Sequence, residues 1–188
     1  MLERRELVRS LLEDRGDLLV ISGLGAPTYD VAAAGDHPLN FYLWGAMGGA
    51  AMMGLGLALA QPKRHVAVIT GDGEMLMGLG GLATIGVKQP ANLAIVVLDN
   101  RRYGETGMQA SHTESGVDLV AVAKACRFPT ALHLNDGAET EAARKLLRSR
   151  RGPIFIQAHV EADDVPRVLP MRDGHAIRLR FQSALTKP

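Results

Sequence analysis

Five stretches of this 188-residue chain are apolar without interruption: LLVISGLG (18–25), HVAVITGD (65–72), LAIVVLDN (93–100), TALHLN (130–135) and PIFIQAHV (153–160). A strand with one wet face alternates polar and apolar residues, whereas a continuous run marks a strand covered on both faces. Helical patterns separate the runs, at 47–60, 75–87, 117–126 and 138–150. Strand–helix alternation of this kind predicts an α/β three-layer sandwich, a mostly parallel sheet with helices on both faces. The length suits a single domain spanning 1–188, which buries roughly 70% of its unfolded surface. Residues 1–17 read as an amphipathic helix, with Leu2, Leu7, Leu11 and Leu12 near helical spacing. From 161 to 188 the pattern changes to prolines followed by a short helix at 174–185, a C-terminal arm expected to wrap onto the domain or a neighbour.

Several function classes are disfavoured at this level. The 21 basic and 20 acidic residues leave a net charge of +1, with no footprint for nucleic acid or an anionic membrane. Arg144, Lys145, Arg148, Arg150 and Arg151 read as the solvated face and end of a helix. One cysteine, Cys126, builds no disulfide framework, zinc site or iron–sulfur cluster, and reads as a small buried hydrophobe. The N-terminus lacks the pattern of a signal peptide. The apolar part of GAMGGAAMMGLGLALAQP, residues 45–60, is 16 residues long, short of the ~20 that span a bilayer. It reads as a helix buried on all sides, in the domain core, at a subunit contact, or both. The expectation is a cytoplasmic protein with no membrane segment.

In open parallel sheets, ligands collect at the C-terminal ends of the strands. Three pieces end there: GLGAPT (23–28), GDG (71–73) and DN (99–100). GDG alone is consistent with a plain turn. Alone it is weak evidence for a metal site, although Gly71 and Gly73 allow close approach and a helix starting near Glu74 aims its N-terminus at the same place. Asp72 beside a phosphate would repel it unless a divalent cation lay between them. Mg²⁺ takes hard oxygen donors, and a carboxylate, an amide oxygen and a main-chain carbonyl meet that demand. Residues 74–98 separate Gly73 from Asp99, the length of one helix and one strand, which returns the chain to the neighbouring position in the sheet.

GDG followed at this interval by an amide dipeptide resembles the diphosphate motif of thiamine-diphosphate enzymes. Residues 40–86, 98–113 and 152–160 resemble the diphosphate-binding domain of the sulfopyruvate and phosphonopyruvate decarboxylases, and the likeness covers nearly the whole chain. The resemblance implies thiamine diphosphate and Mg²⁺ as cofactors. It places Asp72, the side-chain oxygen of Asn100 and the carbonyl of Arg102 on the metal. Gly71, Gly73, Glu74, Tyr103, Gly104 and Glu105 would surround the diphosphate. Gly45 would offer its carbonyl to the aminopyrimidine beside Ala46, and Met47 would be the wedge that bends the cofactor. The usual dipeptide is Asn-Asn; here it is Asp99-Asn100, and Asp99 is expected to face away from the metal.

The family also needs a glutamate on a pyrimidine-binding domain, and the chain has no second domain to carry it. A separate subunit is therefore expected to supply it, in a hetero-oligomer with at least two copies of each chain. The implied reaction is decarboxylation of a 2-oxo acid such as sulfopyruvate or phosphonopyruvate. Such polyanions call for cations, and Arg101, Arg102 and His112 lie in the long loop 100–116, each more readily read as solvent-facing. His37 and His112 are weak candidates for proton transfer. His65, His133 and His159 read as packing or edge residues, and Trp44 as packing. An acetolactate synthase-like carboligase subunit and a non-catalytic cofactor-binding module stay open. A ferredoxin-linked oxidoreductase lacks its cysteines, and a plain dinucleotide fold lacks the third glycine in GLGAPT.

Overall fold

The computed structural model describes residues 1–163 and 165–186; Asp164, Lys187 and Pro188 of the expected arm lie outside the described residues. The chain runs α1 (Arg4–Leu12), β1 (Leu19–Ser22), α2 (Ala26–Ala33), β2 (Asn40–Tyr42), α3 (Ala50–Ala60) and β3 (Val66–Gly71). Next come α4 (Asp72–Met77), α5 (Gly81–Lys88), β4 (Leu93–Asp99), and a small hairpin of β5 (Arg102–Tyr103) and β6 (Gln109–Ala110). The remainder is α6 (Leu119–Ala125), β7 (Thr130–Leu134), α7 (Thr140–Leu147), β8 (Ile154–His159) and α8 (Gly174–Leu185).

The main sheet has six strands in the order β2-β1-β3-β4-β8-β7, and every pairing is parallel. Alternate residues of each strand serve opposite faces. Val20, Ala67, Ile69, Val96 and Ile156 pack with Val8 and Leu11 of α1, Val31 of α2 and Leu147 of α7. Ile21, Val68, Ile95, Val97 and Phe155 pack with Leu55 of α3, Met75 of α4, Ile85 of α5 and Val120 of α6. The helix α8 straddles the β2 edge, giving Ile177 to the first core and Phe181 to the second. This is the expected three-layer sandwich.

Capping fixes several helix starts. Glu3 accepts hydrogen bonds from the N–H groups of Arg5 (2.8 Å) and Glu6 (2.7 Å), Asp118 from Ala121, and Asp173 from His175 and Ala176. Other boundaries differ from the expected ones. The helix expected over 75–87 is two helices, broken at Gly78, whose backbone lies so close to Gly48 that a Cβ would fall 2.3 Å from the Gly48 carbonyl oxygen. The helix expected from 47 begins at Ala50, because residues 45–49 make the turn that presses on Gly78. The strand β2 and the helix α2 were not expected. Cys126 is half-buried rather than buried, packed against the second core. Among the described residues no helix is long and apolar enough to cross a membrane.

Candidate functional site

The C-terminal ends of β1, β3 and β4 open onto a cleft of about 340 Å³. A shallower depression of about 400 Å³ lies between α1 and α7, rimmed by Glu3, Glu6, Glu13 and Glu141, and no strand end reaches it. The cleft is where the sheet gathers its polar termini, which makes it the candidate site.

Asp72 sits at the cleft floor, 2% exposed, as the first residue of α4. The helix thus begins two residues earlier than Glu74, and GDG is its first turn. The Asp72 Oδ2 atom accepts a hydrogen bond from Ser111 Oγ (2.5 Å), and Thr113 Oγ1 lies 3.3 Å from it with its one proton directed to Asp99. Burial pushes its carboxyl up to about 6; the Ser111 hydrogen bond opposes this and the charge of Asp99 adds to it. Asp99 is not among the residues that line the cleft. Its carboxylate accepts from Gln157 Nε2 (2.7 Å), Thr113 Oγ1 (2.8 Å) and the N–H of Arg101 (3.0 Å), and it is 1% exposed.

Asn100 lines the cleft beside Asp72, with Oδ1 accepting from the N–H of Arg102 at 3.0 Å. An amide oxygen has a second lone pair for another partner. The carbonyls of Arg101 and Tyr103 accept from Ser111 and Met108 across the hairpin, so the intervening Arg102 carbonyl is turned off that ladder. The Arg102 guanidinium reaches Glu114 (3.3 Å), leading away from the carbonyl, and Arg101 lies 3.8 Å from the same carboxylate. The two arginines thus share one carboxylate, Glu114, rather than forming a free cationic pocket.

Gly73 is required by the protein itself. A Cβ there would stand 2.6 Å from the ring of Tyr103, which lies across the GDG turn and bonds His112 Nδ1 through its hydroxyl (3.2 Å). The Glu74 side chain is committed to the frame. It accepts from the Leu24 N–H (3.0 Å), Thr70 Oγ1 (2.9 Å) and the Ala50 N–H (3.2 Å), tying β1, β3 and α3 together at their cleft ends. Burial raises its pKa, and those three hydrogen bonds oppose the rise.

Gly71, Gly104, Glu105 and Met47 also line the cleft. Met47 is 40% exposed at the mouth, and Gly45 and Ala46 are exposed in the turn before it. Residues that the sequence reading missed complete the wall. Arg167 of the arm lies over the Tyr29 ring at 5.6 Å and pairs with Glu105 at 3.3 Å. Arg4, also on the wall, is buried against Asp30 at 2.5 Å. Neither carries a motif, and the fold brings each in from a chain end. His37 is not brought to the cleft: its Nδ1 accepts from the Leu39 N–H (3.1 Å) in the turn before β2. His112 lies outside the cleft wall and reaches it through Tyr103. Trp44 packs on Tyr29 and donates to the Met171 carbonyl (3.0 Å).

A buried carboxylate next to a second carboxylate is costly without a cation, and Asp72 has no ion-pair partner among the described residues. No group of three His, Cys, Asp or Glu side chains suited to a metal occurs among the described residues, so a transition-metal centre is not what the donors fit. One carboxylate, one amide oxygen and one outward carbonyl, all at an open cleft, fit a hard cation that keeps other ligands from water or phosphate.

Comparison with known proteins agrees with this geometry. Residues 23–158 match the family model described as thiamine pyrophosphate enzyme, C-terminal TPP binding domain. The chain is 41% identical to the sulfopyruvate decarboxylase subunit beta of Methanothermobacter thermautotrophicus, over 88% of this chain and 87% of that one. It is 35% identical to the phosphonopyruvate decarboxylase of Streptomyces viridochromogenes, over 97% of this chain but 46% of that protein. The fold superposes on benzoylformate decarboxylase from Polynucleobacter necessarius with a TM-score of 0.71 at 17% identity, covering 89% of this chain and 34% of that one.

Proposed function

This chain belongs to the thiamine pyrophosphate enzyme family, whose C-terminal cofactor-binding domain it carries, and on that premise we propose that it is the diphosphate-binding subunit of a decarboxylase acting on a 2-oxo acid such as sulfopyruvate or phosphonopyruvate. The observation that carries the reading is the buried Asp72 carboxylate, without an ion-pair partner among the described residues, in a cleft that Asn100 also lines.

Asp72, Asn100 and the Arg102 carbonyl would hold Mg²⁺, whose charge would let the acidic floor accept a diphosphate. Tyr103, Gly104 and Glu105 would shield the diphosphate from water, and Arg167 braces Glu105 from the arm. Met47 at the mouth would give the cofactor apolar support, and Gly45 would offer its carbonyl to the pyrimidine. Positioning of this kind can supply several kcal/mol of a rate enhancement. Thiamine diphosphate supplies the chemistry of an electron sink for the carbon–carbon bond broken when a 2-oxo acid loses CO₂. We read 1–188 as one domain with an arm from 161, and we place the activating glutamate on a second subunit. Relatives named as subunit beta support a partner chain, and two or more copies of each are the assembly we favour.

Thiamine diphosphate with Mg²⁺ at a hundred times its dissociation constant should stabilise the chain by about 2.7 kcal/mol. In a thermal-shift assay EDTA should cancel that rise, Asp72→Ala should abolish it, and NAD or ATP should not reproduce it. A shift that survives Asp72→Ala would remove the assignment. Turnover of 2-oxo acids should require the partner, and robust decarboxylation by the chain alone would remove the split-subunit reading.

A further inference from the structure

The loop from Asn100 to Gly116 is exposed along its hairpin, yet Ser111 and Thr113 at its root are 2% and 8% exposed. Their hydroxyls fill the space between two carboxylates. Ser111 Oγ lies 2.5 Å from Asp72, Thr113 Oγ1 lies 2.8 Å from Asp99, and the hydroxyls are 2.8 Å apart. Asp99 is itself immobilised by Gln157 of β8 and the Arg101 N–H. We propose that Ser111 and Thr113 are positioning residues for the metal-facing carboxylate: Ser111 gives its one hydroxyl proton to Asp72, Thr113 gives its own to Asp99, and the two oxygens in contact at 2.8 Å make a hydroxyl bridge that steadies Asp72 against Asp99. The inference rests on the reading of the cleft as a magnesium–diphosphate site.

Two consequences follow from the same atoms. The bridge fixes the orientation of Asp72 about its side-chain bonds, because Oδ2 is held by groups that cannot move independently of β4. It also closes the hairpin, because Ser111 bonds Asp72 by its side chain and the Arg101 carbonyl by its N–H (2.9 Å). The cover over the diphosphate and the ligand beneath it are thus set by one residue. The bridge also accounts for a carboxylate at position 99. Both oxygens of Asp99 accept, one from Thr113 and Arg101 and the other from Gln157. An amide at 99 would turn an N–H₂ group toward one of those donors.

Partners of metal ligands are typically worth about ten- to a hundredfold in metal affinity. The test is Mn²⁺ binding to the full chain, followed by electron paramagnetic resonance in saturating inorganic pyrophosphate. Pyrophosphate carries the metal-bridging part of the cofactor and none of the part that faces a partner subunit. Affinity is referred to the folded fraction, read from near-ultraviolet circular dichroism. Ser111→Ala and Thr113→Val should each weaken binding by about ten- to a hundredfold. Thr113→Ser, which keeps the hydroxyl, should restore the wild-type value. Wild-type affinity in both hydroxyl-free variants, or Thr113→Ser as weak as Thr113→Val, would overturn the bridge and leave the site standing. A wild-type chain that binds no Mn²⁺ with pyrophosphate would overturn the site reading, and the bridge with it.

Discussion

The two helical layers differ in how they end. On one face, α1 and α7 present charges in register: Arg9 with Glu6 at 2.5 Å, Arg144 with Glu13 at 2.6 Å and with Glu141, and Lys145 with Glu141 at 3.4 Å. That layer is finished against water. On the other face, α3 is AAMMGLGLALA, without a charge, and it leaves Met52 and Leu59 39% and 50% exposed. Met77 at the end of α4 and Val87 on α5 are exposed as well, at 64% and 74%. The second layer has the composition of a core with one side missing, which is where a partner subunit is expected.

The largest effect should come from charging that surface. Met52 and Leu59 are one heptad apart on α3 and share a face. With Met52→Glu and Leu59→Glu combined, association with the partner should fall by at least about a hundredfold, since buried anchors are worth about 2 kcal/mol or more each. Melting of the isolated chain should change little. The matched control, Arg9→Glu with Arg144→Glu on the other layer, should leave association intact. Equal losses from both pairs, measured by surface plasmon resonance, would erase the distinction between the layers.

Part of this difference was legible in the sequence. The continuous runs gave five of the six strands, and the strand ends put Asp72 and Asn100 at one end of the sheet. Charge-free α3 and charged α7 could be told apart by composition. What escaped has physical reasons. The strand β2 is three residues long on an edge, too short for any period to show. The helix α2 buries most of its residues, including Thr28 and Asp30, so no polar face marks it; Pro27 near its start was the available signal. The break between α4 and α5 depends on the backbone of Gly48, thirty residues away. Glu74 lines the cleft, but nothing local shows that its carboxylate is spent on three frame hydrogen bonds to Leu24, Thr70 and Ala50. Ser111 and Thr113 sit in a polar loop whose local sequence says only that it turns.

The cores beneath the two layers are built differently, and truncation and enlargement should separate them. Leu147 of α7 is 1% exposed in the first core, so Leu147→Ala should cost about 2–5 kcal/mol in urea unfolding. In the second layer α5 meets the residue after α6 through bare backbone: a Cβ on Gly86 would fall 1.7 Å from the Cys126 carbonyl oxygen. Gly86→Ala should therefore cost about 1–3 kcal/mol despite alanine's better helix propensity. A stabilising Gly86→Ala would show that α5 and α6 can separate without loss, and that the second layer is looser than its geometry.

The smallest effect tests the helix that joins the layers. Asp36, about half exposed, accepts from Arg180 of α8 at 2.6 Å and from the Tyr42 hydroxyl of β2 at 2.8 Å. Burial alone would raise its pKa, but the hydrogen bonds from Arg180 and Tyr42, with the Arg180 charge and the His37 N–H, outweigh it and hold the carboxyl below its ordinary value. A carboxylate depressed in the folded state stabilises it above the unfolded pKa, near 3.9, and loses that contribution as pH falls through the folded value. Asp36→Asn should thus melt slightly below wild type near neutrality, and the gap should close as the pH is lowered through about 4. Salt should narrow it as well, because the ion pair is partly in water. A gap that persists at low pH would mean that α8 is held at the β2 edge by Phe181 and Ile177 packing alone, and that its charges are as dispensable as those on α7.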